Sequence, residues 1–162
     1  MYDNKEIPSI HDWNSYILGT TSRSIFMEPR MATLGTLTSI VAKIPSRRSL
    51  SISSFYHWVA NGINNEQIKL LQGELDIEPT GYLIWAWAND KTVQEYLSDS
   101  KFVPHPSQWS EGRNLIILDI FLPSPQLDLI KELQHIRRQL KKSGVKNIYY
   151  RSSENRTKQY IW

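Results

Sequence analysis

Two apolar runs dominate the chain, Tyr82 to Ala88 and Leu115 to Leu122. The first is typical of a strand buried on both faces, and the second reads as another strong strand. Helical spacing appears around them. Leu34, Leu37, Ile40 and Val41 predict a helix over Leu34–Val41 that Pro45 stops. Phe55, Val59 and Ile63 predict another over Ser53–Gly62. Ile68, Leu70 and Leu71 then read as a strand, with a turn at Asp76–Thr80 before the first long run. Asn89 and Asp90 are good caps for a short helix, Thr92–Leu97, with Val93, Tyr96 and Leu97 facing inward.

Pro104 and Pro106 enforce a loop through His105 to Gly112 ahead of the second run. Beyond that run, Ser124 and Pro125 supply a cap and a proline at the first helical position. Leu129, Leu133, Ile136 and Leu140 follow at helical intervals, and Gly144 closes the helix. Val145–Tyr150 and Lys158–Trp162 are expected to be closing strands joined by a polar turn at Ser152–Asn155. Residues 1–33 carry only Trp13, Tyr16, Ile17 and Leu18 as an apolar patch and are expected to be an irregular or partly helical extension to a domain over 34–162. The order of elements predicts an α/β or α+β fold with one central sheet flanked by helices.

Composition narrows the chemistry. The 162 residues fit one domain, and an apolar fraction of 40 % with six tryptophans excludes a disordered chain. The absence of cysteine removes disulfides, thiolate metal sites and cysteine nucleophiles. Neither phosphate-binding glycine motif is present. His11, His57, His105 and His135 lie too far apart for a metal-ligand pair, so no metal or cofactor is expected. The first residues show neither a basic leader nor an apolar core, and no apolar stretch reaches the roughly 18 residues that cross a bilayer. The absence of cysteine suits the cytoplasm.

The net charge of +3 is mild, but Lys131, Arg137, Arg138, Lys141, Lys142 and Lys146 crowd the last helix and its exit. They are either a solvated face complementing the helix dipole or a docking surface for an acidic protein partner. Nucleic acid is the lesser reading, because the aromatic residues lie in the strands and are not interleaved with the basic ones. Asp119 stands inside the second apolar run. An ionised carboxylate buried there needs a partner, and it is a structural ion pair, an outward-facing residue at an edge, or a member of a functional site.

The run Tyr82 to Asn89, then Trp109 and Gly112, then Asp119 and Pro123, resembles the lysine acyltransferases that activate RTX toxins. Leu34, Gly35, Pro45, Arg48, Phe55, Gln67, Leu70 and Leu71 keep the family's order upstream. The resemblance implies a fold like that of the GNAT acetyltransferases and a cytoplasmic enzyme. It also implies an acyl carrier protein as donor and a lysine of a protoxin as acceptor. It assigns a histidine and an aspartate to catalysis. Asp119 matches the aspartate, but Arg47 stands where the family has its histidine.

A guanidinium stays protonated and cannot serve as a base, although it can bind a carboxylate or phosphate. His57 is the substitute base that the nearby sequence offers, and Arg48, Arg137, Arg138, Lys141 and Lys142 are the candidate donor or partner contacts. The changed residue fits a divergent branch of the family, in which such a protein works with a larger partner to attach a siderophore to the C-terminal serine of a microcin precursor. It equally fits a catalytically degenerate scaffold subunit. A homodimer or a complex with a larger protein is expected in either case.

Overall fold

The computed structural model describes residues 8–18, 29–123, 127–151 and 157–161. Its sheet has five strands in simple sequence order: β1 (Ile68–Leu71), β2 (Gly81–Ala88), β3 (Asn114–Phe121), β4 (Asn147–Arg151) and β5 (Thr157–Ile161). All neighbours are antiparallel except β3 and β4. That parallel pair requires a crossover, and α5 (Leu127–Lys142) provides it. The mixed α/β layout, with one mostly antiparallel sheet between helices, is the GNAT-like fold expected above.

Every residue of β2 is buried, because helices cover both faces of the sheet. Alternation sorts its side chains. Tyr82, Ile84 and Ala86 face α2 (Pro29–Ala42) and α3 (Ile52–Asn64), where Leu37, Ile40, Val41, Phe55 and Val59 meet them. Ala88 and Ile116 continue that face towards α4 (Asp90–Ser98) through Val93, Tyr96 and Tyr149. Leu83, Trp85 and Trp87 face the other way, onto α1 (Ile10–Leu18) and α5.

The segment expected as an extension thus holds a helix that closes one face of the core. Trp13 and Ile17 are buried, and Trp13 packs on Trp87 with ring centroids 5.0 Å apart. The buried Asn14 accepts from the indole nitrogens of Trp85 and Trp87 at 3.1 and 2.8 Å, supplying the partner that a buried indole N–H requires. The helix starts at a capping box: Ser9 Oγ accepts from the Asp12 amide, and Asp12 accepts from the Ser9 amide. That Ser-x-x-Asp signal is present in the sequence and marks the start.

Other expectations need adjustment. The predicted helices extend beyond their apolar cores, to Pro29–Ala42 and Ile52–Asn64. Leu97 is exposed and does not face inward, whereas Val93 and Tyr96 do. The loop after Pro104 contains a 3₁₀ turn, Pro106–Gln108, capped by His105. Its continuation, Trp109 to Glu111, clips onto β2 through two backbone bonds of 2.9 Å to Trp87, where β1 no longer pairs. Gly112 belongs there because a Cβ would lie 2.1 Å from the Ala88 carbonyl oxygen. The Ser124–Pro125 cap and the Ser152–Asn155 turn lie outside the described residues, as does Trp162.

Candidate active site

One charged cluster is set into the face that carries α2 and α3. Its first member comes from the connection between those helices. Ile44 is buried and extended ahead of Pro45, which starts a 3₁₀ turn, Pro45–Arg47, and Arg47 leaves that turn towards the sheet. The second member, Asp119, lies on β3 beside an irregularity in the β2–β3 ladder. Ile84 pairs with Asp119 but Trp85 pairs with Ile117, so Leu118 is an extra residue, a β-bulge. The bulge changes the alternation. Asp119 consequently shares the face of Ile84 and Tyr82, the side on which the α2–α3 connection brings Arg47.

The two charges form a bidentate pair. Arg47 Nη2 donates to Asp119 Oδ1 at 2.8 Å, and Nη1 donates to Oδ2. Tyr82, fully buried at the start of β2, completes a closed ring: its hydroxyl accepts from Arg47 Nη1 and donates to Asp119 Oδ2 at 2.8 Å. The guanidinium lies over the Trp58 ring, 5.1 Å from its centroid, and 5.7 Å from that of Tyr82. Trp58, Tyr82 and Phe121 form a continuous chain of ring contacts around the pair.

The side chains of Arg47 and Asp119 keep 26 % and 13 % of their surface exposed. The ion pair should therefore be worth more than the ~1 kcal/mol of a surface pair and less than the ~3–5 kcal/mol lost when a fully buried pair is broken. The Asp119 hydrogen bond raises the Arg47 pKa above its ordinary value. Burial, followed by the Asp119 charge, raises that of Tyr82. Arg47 and Tyr82 thus both hold their protons at neutral pH, and the carboxylate has three donors on its two oxygens. Among its own groups the cluster offers donors to an incoming group and no ready base.

Tyr82 and Trp58 escape the sequence reading. Tyr82 is lost inside a run that signals only burial, although a buried phenol hydroxyl usually finds a polar partner. The other candidates lie elsewhere. His57 is exposed on α3 and is not among the hydrogen-bond partners of Arg47, Tyr82 or Asp119. Arg48 turns back to donate to the Ala42 carbonyl at the end of α2. Arg137, Arg138, Lys141 and Lys142 are exposed on α5, across the sheet from Asp119. Lys146 leaves their patch to pair with Asp90 at 2.8 Å. Among the described residues no group of three or more His, Asp or Glu side chains could hold a metal ion, and no helix is long and apolar enough to cross a membrane.

Comparison with known proteins adds one match. The model of the RTX toxin acyltransferase family aligns with residues 27–162, a span that takes in Arg47, Tyr82 and Asp119. No curated protein matches the chain.

Proposed function

The chain belongs to the RTX toxin acyltransferase family, and from that premise we propose that it matures a bacterial protein toxin or microcin precursor in the cytoplasm as one subunit of a modifying complex. The observation that carries this reading is the closed trio of Arg47, Asp119 and Tyr82. An acyltransferase attacking with a lysine must remove a proton from a group whose unperturbed pKa is near 10.4. A serine acceptor holds its proton more firmly still. This trio has no base to do either, but its guanidinium is well suited to orient an acyl donor or neutralise charge at the reacting carbonyl. A larger partner protein that supplies the base fits such a site, as in siderophore attachment to the C-terminal serine of a microcin precursor. Transfer from an acyl carrier protein to a protoxin lysine is the family's other route. In that route the thioester C–S bond breaks, an amide C–N bond forms, and the lysine ammonium gives up two protons, one to a base or solvent and one to the carrier thiolate.

Reconstitution with a candidate toxin or microcin precursor, a partner protein and the activated donor tests the proposal by mass spectrometry of the precursor. Asp119→Asn is expected to abolish the mass increase while leaving the circular dichroism spectrum unchanged. Full modification by that variant overturns the role of Asp119. A second reading, a scaffold subunit without chemistry of its own, draws on the same closed ion pair. Arg47→His separates the two: loss of modification gives Arg47 a part in the reaction, and indifference favours the scaffold.

A further inference from the structure

An arginine side chain has five N–H bonds, and the trio uses three of those of Arg47. Nη1 spends both on the Tyr82 hydroxyl and Asp119 Oδ2, and Nη2 spends one on Asp119 Oδ1. The remaining two are the Nε–H and the outer Nη2–H. They lie side by side on one edge of the planar guanidinium and form the fork that matches two oxygens of a carboxylate or phosphate. Neither has a partner among the described residues, and 26 % of the side chain is open to solvent.

We propose that Arg47 is an oxyanion-binding residue, taking two oxygens of a carboxylate or phosphate group on its free fork, and that Asp119 and Tyr82 are the positioning residues that aim it. The inference rests on the reading of this trio as the reaction centre. Asp119 alone would leave the guanidinium free to swing about its end-on contact. The Tyr82 hydroxyl fills the second Nη1 hydrogen and ties it to Oδ2, and its ring is fixed on a fully buried strand between Trp58 and Phe121. The fork edge is the only one left. Because Asp119 balances the Arg47 charge, an anion gains from directed hydrogen bonds and little from net charge. Selection then follows the spacing of two oxygens rather than charge alone, with affinity for a small anion on the order of millimolar.

The Nε–H of Arg47 reports on this directly. In the full-length protein labelled with ¹⁵N-arginine, the Nε–H resonance of Arg47 is identified by its loss in Arg47→Lys. It is then followed through titrations with sodium phosphate, sodium acetate and sodium chloride at constant ionic strength. The expected result is a saturable shift with phosphate or acetate and none with chloride, the responding anion telling a phosphate-bearing from a carboxylate-bearing ligand. Tyr82→Phe, which keeps the ring, should weaken that binding about tenfold. Asp119→Asn, which keeps one acceptor oxygen, should weaken it similarly and serves if the phenylalanine variant does not fold. A resonance unmoved by both phosphate and acetate overturns the proposal, as does wild-type affinity in the folded positioning variants. A normal titration with no precursor modification in the reconstituted complex removes the maturation reading and leaves the oxyanion site standing.

Discussion

Tyr82 and Tyr96 are both buried phenols, yet only one has a use for its hydroxyl. That of Tyr82 links Arg47 to Asp119, whereas that of Tyr96 has no hydrogen-bond partner among the described residues. Burial raises the pKa of both, pushing Tyr96 up to about 12. A raised value means that the folded protein keeps a proton that the unfolded chain gives up near pH 10. The contribution to stability is therefore whole below pH 10 and declines as pH rises towards the folded value. The thermal midpoint is expected to hold between pH 7 and 9 and to fall above roughly pH 10. Tyr96→Phe should soften that fall and raise stability at neutral pH by about 1 kcal/mol, since it removes a buried hydroxyl that lacks such a partner. Urea denaturation across that pH range measures both effects.

At the scale of elements, α1 is the helix whose importance is least evident from its sequence. It is short, and besides the buried Trp13 and Ile17 its hold on the sheet uses one amide: Asn14 Oδ1 serves two indoles while Nδ2 donates to the Asn65 carbonyl at 3.4 Å. Asn14→Ala would leave two buried N–H groups without an acceptor. The expected cost is about 3 kcal/mol, with faster exchange of the Trp85 and Trp87 indole protons. Chemical denaturation and proton exchange by NMR test this, and a variant as stable as the parent would show that α1 is held by apolar contact alone. The bulge at Leu118 is the corresponding device on the other face. One extra residue in β3 turns Asp119 to the side on which the α2–α3 connection brings Arg47.

Over the whole molecule, the sheet separates two groups of candidate residues. The Arg47 cluster belongs to the face of α2 and α3, and the basic residues of α5 lie on the opposite side. Charges placed there can attract an acidic carrier over a Debye length of about 8–10 Å without touching its reactive arm. Replacing Arg137, Arg138, Lys141 and Lys142 by glutamine is expected to slow association with an acyl carrier protein several-fold and flatten its salt dependence. Turnover at saturating donor should stay unchanged. Stopped-flow association at two salt concentrations, with steady-state modification as the second measurement, separates these effects. A fall in saturated turnover would instead put α5 in contact with the reacting complex.

Composition and period are local properties, and they made legible the burial of β2, the strand at β3, of which only Asn114–Ile116 are fully buried, the register of α5 and the exclusion of thiol chemistry. The collinear tryptophan, glycine and aspartate around Asp119 pointed to the family. What they could not convey is which residues meet. Arg47 and Asp119 are 72 positions apart, and Tyr82 is 35 from one and 37 from the other. Their meeting depends on a ladder register in which a single residue's slip exchanges one face for the other. His57 and the basic helix were equally good candidates by residue type, and the faces of α3 and α5 that they occupy put them elsewhere. Sequence by itself therefore determined the layers and the charged residue that needed a partner. Tertiary structure alone decided that the partner is Arg47, because packing across the sheet, rather than proximity along the chain, brings the two charges and the phenol together.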